Sequence, residues 1–149
     1  MTIKHIACCI DFSENAEIAF QEALSLAKTH QAKLSILHVL PPVVNPMLTD
    51  TEWLLPEEPK NTLLTRLEER MAQEYGSRVD SAIDHELVVL DGHVSTEIIK
   101  YLEDTPVDIV VMGSYGFTGM GLVFFGSVAK RVSHKAPCSV MIVRKRPEA

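Results

Sequence analysis

Cysteine is scarce in this sequence, with only Cys8, Cys9 and Cys138 among 149 residues. No two of them have the C-x-x-C spacing that is typical of metal or redox sites. The scarcity excludes a disulfide scaffold and gives no indication of a structural metal. We expect the three side chains to behave as small buried hydrophobic groups in a reducing compartment.

Basic residues are also in the minority, because 14 Lys and Arg stand against 20 Asp and Glu, for a net charge of −6. Non-specific nucleic-acid binding depends on clustered cations, and the one basic cluster, Arg144-Lys145-Arg146, is short. A solubilising segment is a better interpretation of that cluster than a nucleic-acid contact. We therefore expect no nucleic-acid partner.

Long apolar runs are absent too. The strongly apolar runs, such as 109–112 and 140–143, fall far short of the roughly 18 residues that a membrane-spanning helix needs. The first five residues, Met1-Thr2-Ile3-Lys4-His5, lack the pattern of a signal peptide. The sequence therefore predicts a cytoplasmic protein that does not insert into membranes.

What the chain does contain is a 46% hydrophobic composition over a length that suits one domain, residues 1–149. The apolar run 3–10 predicts a buried strand that stops at Asp11-Phe12-Ser13. Ser13 is a suitable N-cap for a helix whose apolar residues recur every three or four positions, and 34–40 predicts the next strand. A strand, a helix and a strand with short connections indicate a parallel pair.

Residues 41–60 differ in character, since they hold five of the eight prolines, four acidic residues and the one tryptophan, Trp53. A loop of this length inside a domain is usually a functional flap or a disordered segment. Trp53-Leu54-Leu55 is too apolar to remain in water, so we expect it to dock on the helix layer or on a neighbouring subunit rather than on a ligand.

The same alternation continues to the end of the chain. The predicted elements are a helix over 63–75 ended by Gly76, a strand over 86–90, a helix capped by Ser95 or Thr96, a strand over 108–112, a helix over 126–135 and a strand over 138–143. Five strands that alternate with four helices predict an α/β fold, an open doubly wound five-stranded parallel sheet with helices on both faces.

Glycine is concentrated in one loop. Five of the seven glycines lie between Gly113 and Gly126, after the fourth predicted strand. Glycine lets backbone N–H groups approach an anion, and the start of the following helix at Gly126-Ser127 favours a phosphate. The alternative is a capped helix behind an ordinary flexible loop.

Asp11, at the end of the first strand, is similarly open to two interpretations. It could be a ligand for ribose or a metal ion, or it could be a local turn former.

These residues carry a resemblance. Gly113, Gly116, and Gly126 with Ser127 reproduce the G-2x-G-9x-G-(S/T) nucleotide pattern of the universal stress protein family. Other landmarks of the family occur in the same order along nearly the whole chain: Asp11-Phe12-Ser13, His38-Val39, Gly92, 108–114, Gly126-Ser127-Val128-Ala129 and Ala136-Pro137-Cys138.

The resemblance implies a Rossmann-like or flavodoxin-like fold with strand order 3-2-1-4-5, and a homodimer. In its ATP-binding branch, the position of Asp11 contacts the ribose and the backbone at Val39 reads the adenine edge. The positions that surround the ribose and phosphates are Gly113, Gly116, Gly126 and Ser127, and the implied site is completed by Ser13, Met112 and Val128.

The sequence departs from the family where a histidine and then a basic or polar residue are common, since Tyr115 and Phe117 occupy these places. Lys130 is a candidate substitute, although a lysine on a solvated helix face is the simpler interpretation. Binding is then expected to depend on backbone N–H groups, the helix terminus and Mg²⁺, with Asp11 as the one side chain that could assist the metal ion.

Three functions remain open. The leading hypothesis is an ATP-binding signalling or stress-response module that acts as a homodimer through the strand 138–143, with its downstream protein partner undefined. The second is a slow Mg²⁺-dependent ATPase or adenylyl-transfer enzyme, for which the sequence offers neither a phosphate-loop motif nor a nucleophile paired with a base. The third is an interaction module without nucleotide.

Overall fold

The computed structural model describes residues 1–41, 60–114 and 124–145. Its elements in chain order are β1 (His5–Cys9), α1 (Glu14–His30), β2 (Lys33–Leu40), α2 (Lys60–Glu74), a short 3-10 turn (Gly76–Arg78), β3 (His85–Asp91), α3 (Val94–Asp104), β4 (Ile109–Gly113), α4 (Phe124–Lys135) and β5 (Ser139–Val143). Most of the 41–60 excursion, including Trp53, and the glycine-loop residues 115–123 lie outside the described residues.

The five strands form one sheet in the order β3-β2-β1-β4-β5, and every pairing is parallel. The predicted fold class and strand order are therefore confirmed. The chain moves outward from β1 to β3 and then returns to the other side of β1 for β4. The strand order thus reverses between β1 and β4, which lie side by side with Cys8 opposite Val111.

Hydrophobic side chains cover both faces of this sheet, because successive residues of a strand point to opposite sides. Ile6 and Cys8 belong to the core under α1 and α2, whereas Ala7 and Cys9 belong to the core under α3 and α4. Burial raises the pKa of the Cys9 thiol to about 12, so this thiol stays protonated. The expectation that these two cysteines are small buried hydrophobic groups is confirmed, while Cys138 is only half buried.

Two helix starts differ from the prediction. Helix α3 has His93 as its N-cap, and Ser95 lies inside the first turn, where its hydroxyl accepts a hydrogen bond from Arg131 at 2.9 Å. The start is earlier because Gly92, with a φ of 140°, turns the chain directly after β3. Helix α4 begins at Phe124, so Gly126 and Ser127 are its third and fourth residues and neither is its cap. Ser13 caps α1 as predicted, since its hydroxyl accepts the N–H of Ala16 at 3.1 Å.

Gly113, the last residue of β4, lies under the first turn of α1. A Cβ at this position would stand 2.9 Å from the carbonyl oxygen of Asn15 and 3.1 Å from its carbon. Such distances are shorter than any normal contact of a Cβ atom, and backbone atoms cannot move aside as a flexible side chain can. Glycine at 113 therefore allows α1 to sit directly over the end of β4.

Gly113→Ala should destabilise the fold by about 1–3 kcal/mol, since it forces α1 away from β4. Urea unfolding followed by circular dichroism measures this loss. Gly126→Ala is the matched control, because among the described residues a Cβ there has no neighbour nearer than Ser114 O at 4.0 Å and the change adds helix propensity. Equal stability of Gly113→Ala and the unmodified protein would contradict the close approach.

Candidate functional site

The candidate site lies at the carboxyl ends of β1 and β4. Strands whose order reverses send their following helices to opposite faces of the sheet, which opens a crevice between the two connecting loops. Continuing the observed register places Ile10 beside Gly113, with Asp11 immediately beyond. The structure therefore brings Asp11 and Gly113 to one edge of the sheet, as the sequence predicts.

Asp11 and Ser13 form a tight hydrogen-bonded turn at the mouth of this crevice. The Asp11 Oδ1 atom accepts the backbone N–H of Ser13 at 3.1 Å and also a short bond from the Ser13 hydroxyl. The same Ser13 oxygen accepts the N–H of Ala16 and so begins α1. Asp11 thus acts as a turn former, and the turn holds its carboxylate at the edge of the sheet.

Phe12, between these two residues, has a φ of 65° and so lies in the left-handed region. Such a conformation is uncommon for a bulky residue and costs about 1–3 kcal/mol. The Phe12 ring packs between α2 and β2, with its centroid 4.9 Å from that of His38 and 5.8 Å from that of Tyr75. The Arg70 guanidinium lies 3.8 Å from the ring centroid. Sequence reasoning identified the turn but did not detect this conformation.

His38 connects the ends of β1 and β2. Its Nδ1 atom lies 3.0 Å from the carbonyl oxygen of Ile10, which can only accept, so Nδ1 carries a proton. Burial lowers the pKa of the imidazole, against the opposite effects of the Ile10 carbonyl and the Asp11 carboxylate. His38 is therefore a neutral structural donor at neutral pH that fixes the chain next to Asp11.

Val39 and Met112 have side chains that point into the core under α3 and α4, where they are 6% and 0% exposed. Only the backbone at these positions can meet a ligand in the crevice. Val128 in the first part of α4 packs against the same core. The contact of the Val39 backbone with an adenine edge, which the family resemblance implies, stays a prediction.

The start of α4 lies next to the end of β4. Ser114 is 9% exposed, and the ideal Cβ position of Gly126 lies 4.0 Å from the Ser114 carbonyl oxygen. The N–H groups of a helix's first turn have no acceptor within the helix, and Gly126 falls in this turn. Ser127 is exposed in the same turn. Gly116, the remaining glycine of the predicted pattern, lies outside the described residues.

A cavity of about 280 Å³ opens from this point between α4 and β5. Its described lining is Ser114, Gly126, Ala129, Lys130, Ser133, Ile142 and Arg144. Arg144 was assigned to a solubilising segment by sequence reasoning, yet it directly follows Val143, which pairs with Gly113. The position of β5 beside β4 was the signal that could have found it.

Lys130 and Arg144 differ from several other described cations. Arg70 pairs with Glu74 at 2.6 Å, Lys145 pairs with Glu14 at 2.8 Å, and Arg78 pairs with Glu17. Within the described ranges, the side chains of Lys130 and Arg144 have no hydrogen bond or ion pair, although the Lys130 carbonyl accepts the Ser133 hydroxyl at 2.7 Å. Among the described residues, the cavity therefore has two positive charges without a local counter-ion, at the same end as the α4 terminus.

A dedicated metal site is not apparent in the part of the chain that the structure describes, where no three His, Cys, Asp or Glu side chains cluster. No described helix has the length and apolar character needed to cross a membrane. The described residues of the crevice are therefore suited to binding a ligand that carries an anionic group and a polar group next to it.

Comparison with known proteins identifies the family. The sequence profile described as the universal stress protein family matches residues 2–144. The chain belongs to this family. A universal stress protein of Methanocaldococcus jannaschii is 30% identical over 150 residues, which cover 95% of this chain and 82% of that protein.

Solved structures resemble this universal stress protein over almost its whole length. The protein UspA of Lactobacillus plantarum is 26% identical, with a TM-score of 0.73 over 97% of this chain and 99% of that one. A universal stress protein solved in complex with cAMP is 18% identical, with a TM-score of 0.70 over 96% and 98% of the two chains. An Archaeoglobus fulgidus member solved with dAMP is 21% identical, with a TM-score of 0.56 over 95% and 98%.

Proposed function

We propose that this universal stress protein binds ATP in the crevice between β1 and β4 and acts as a nucleotide-responsive signalling or stress-tolerance module. The observation that carries the proposal is the cavity that joins Ser114 and Gly126 to two cations, Lys130 and Arg144, that have no counter-ion among the described residues. The Asp11 turn lies across the same crevice. Family members solved with cAMP and dAMP support an adenine nucleotide as the ligand class.

Each site residue has a role that suits its position. The Asp11 carboxylate would accept ribose hydroxyls, with Ser13 holding it in place. The adenine edge would meet the backbone at Val39, since the side chain there is buried. Met112 and Gly113 would form the floor of the crevice at the end of β4.

The phosphates would lie at the first turn of α4, close to Gly126, Ser127 and Val128, with Gly116 contributing from the loop. Backbone N–H groups and the helix terminus provide positive potential there. Lys130 and Arg144 extend this potential along the cavity toward a β- or γ-phosphate. Mg²⁺, when bound with ATP, would neutralise part of the phosphate charge, and Asp11 is the carboxylate of the described crevice that would assist it.

An enzyme function has less support. The histidine nearest to the site, His38, donates Nδ1–H to the Ile10 carbonyl and carries a lowered pKa because it is buried. Ser13 is an N-cap whose oxygen is engaged by the Ala16 N–H. The base that the Ser13 hydroxyl meets is the Asp11 carboxylate, and that bond belongs to the turn that caps α1. We therefore infer that binding, with at most slow hydrolysis, is the activity of the site.

ATP with Mg²⁺ should stabilise the protein by about 2.7 kcal/mol at one hundred times its dissociation constant, because only the folded chain has the crevice. Thermal unfolding with and without Mg·ATP measures this, together with identification of any nucleotide that co-purifies. Absence of both a thermal shift and a co-purifying adenine nucleotide would refute the proposal. A hydrolysis rate that is lost in Asp11→Ala while ATP affinity stays intact would instead favour the enzyme.

Lys130→Gln and Arg144→Gln should each weaken ATP binding about two- to fivefold while changing AMP binding little, since exposed charge contacts contribute about 0.2–1 kcal/mol. Calorimetry at low and high salt measures both ligands, and the difference should shrink as salt rises. Lys100→Gln, an exposed lysine of α3, is the matched control. Equal losses for ATP and AMP would show that the two cations do not contact the phosphate tail.

We further propose that the protein is a homodimer through β5. This strand pairs only with β4 among the described strands, and its residues Val140 to Val143 are half buried. A groove of about 530 Å³ runs beside it, lined in part by Ile18, Met141 and Ile142. An apolar sheet edge of this kind favours pairing with a second copy.

Val140→Pro and Ile142→Pro should therefore produce monomers, because proline removes a backbone donor from the edge strand. Size-exclusion chromatography with light scattering measures the mass, and circular dichroism verifies that each variant is folded. If both variants remain folded dimers, the interface lies elsewhere.

A further inference from the structure

The backbone of Phe12 is the most unusual feature of the site. A phenylalanine with a φ of 65° stands where the chain turns from β1 into α1, and the residues on either side of it are hydrogen-bonded to one another. Backbone strain of this kind persists only where neighbouring groups enforce it, and it is concentrated at binding sites.

The described ring contacts of Phe12 come from α2, the residue after it and β2 rather than from its own turn. Arg70 places its guanidinium 3.8 Å from the ring centroid, and Tyr75, which follows α2, packs 5.8 Å away. His38 approaches at 4.9 Å from β2. Tyr75 is itself anchored against Phe20 of α1 at 5.0 Å, so the ring sits among groups that the core fixes.

We propose that Arg70 and Phe12 form a clamp through which helix α2 holds the Asp11–Ser13 turn in its nucleotide-binding conformation. The proposal rests on the proposed nucleotide function and adds a positioning residue, Arg70, that does not itself touch the ligand. Arg70 pairs with Glu74 one turn along α2, which orients its guanidinium over the ring.

The clamp couples α2 to the ligand. If docking of α2 through Arg70 favours the turn that receives the ribose, then bound nucleotide favours docking of α2 by the same free energy. Helix α2 directly follows residues 42–59 in the sequence, so this long segment is joined to the element that positions Asp11.

Amide hydrogen exchange tests the clamp without any ligand. The Ser13 N–H, which donates to Asp11, should exchange about fivefold faster in Arg70→Met, while the N–H groups of β1 stay unchanged. Arg70→Lys should recover part of the protection because it keeps a cation over the ring. Arg78→Met is the matched control, since Arg78 stacks 5.0 Å from Phe20 and not on Phe12.

A double-mutant cycle then connects the clamp to binding. Arg70→Met should raise the dissociation constant of Mg·ATP about fivefold in the unmodified chain but less than about twofold in a Phe12→Gly background, because both act through one ring. Phe12→Gly keeps the left-handed φ accessible and removes the ring. Glu74→Gln should have a small effect, since the glutamine side-chain oxygen can still accept the Arg70 hydrogen bond that orients the guanidinium over the ring.

The outcomes separate the two hypotheses. If Arg70→Met has the same effect on exchange or on affinity in the unmodified chain and in the Phe12→Gly background, the clamp is overturned. Unchanged exchange of the Ser13 N–H in Arg70→Met would also overturn it. If the unmodified chain binds no adenine nucleotide, the proposed function fails. Exchange at the Ser13 N–H, measured for Arg70→Met in the unmodified and Phe12→Gly chains, still decides whether Arg70 holds the turn through Phe12.

Discussion

The parallel pairing of β1 with β4 is the contact on which the rest of the site depends. It places two loops side by side whose helices leave in opposite directions, α1 with the core of Ile6 and Cys8, and α4 with the core of Ala7 and Cys9. The crevice is the space that this divergence leaves. Gly113 makes the arrangement possible, because any Cβ at that position would collide with the first turn of α1.

Charge placement explains how an acidic chain can offer a site for a polyanion. Many of its cations are already neutralised by neighbours, as in the pairs of Arg70 with Glu74 and of Lys145 with Glu14. The cavity beside α4 has two cations and a helix terminus without an adjacent carboxylate among its described lining. Since screening limits surface charges to about 8–10 Å at physiological salt, this local balance matters more than the net charge of −6.

Features with a local cause were predictable from the sequence. The buried strands follow from short apolar runs and the α1 cap follows from Ser13 before an amphipathic repeat. Features with a tertiary cause were not. The ring of the left-handed Phe12 meets residues of α2 and β2, and the place of Arg144 in the cavity depends on β5 lying beside β4. Glycine at 113 was predictable as part of a phosphate motif. The structure adds that a Cβ at this position would face the Asn15 carbonyl.

The strain at Phe12 also bears on how stability is distributed. A domain of this kind has about 5–15 kcal/mol of stability, so a residue that costs about 1–3 kcal/mol uses a substantial share of it. A glycine at 12 would avoid that cost, as glycine does at Gly92, where the φ is 140°. Phenylalanine instead joins β2, α2 and the turn through one ring. Docking of α2 therefore adds to the hydrogen bonds that hold the turn at Asp11, and this coupling makes the site responsive to the helix that packs on it.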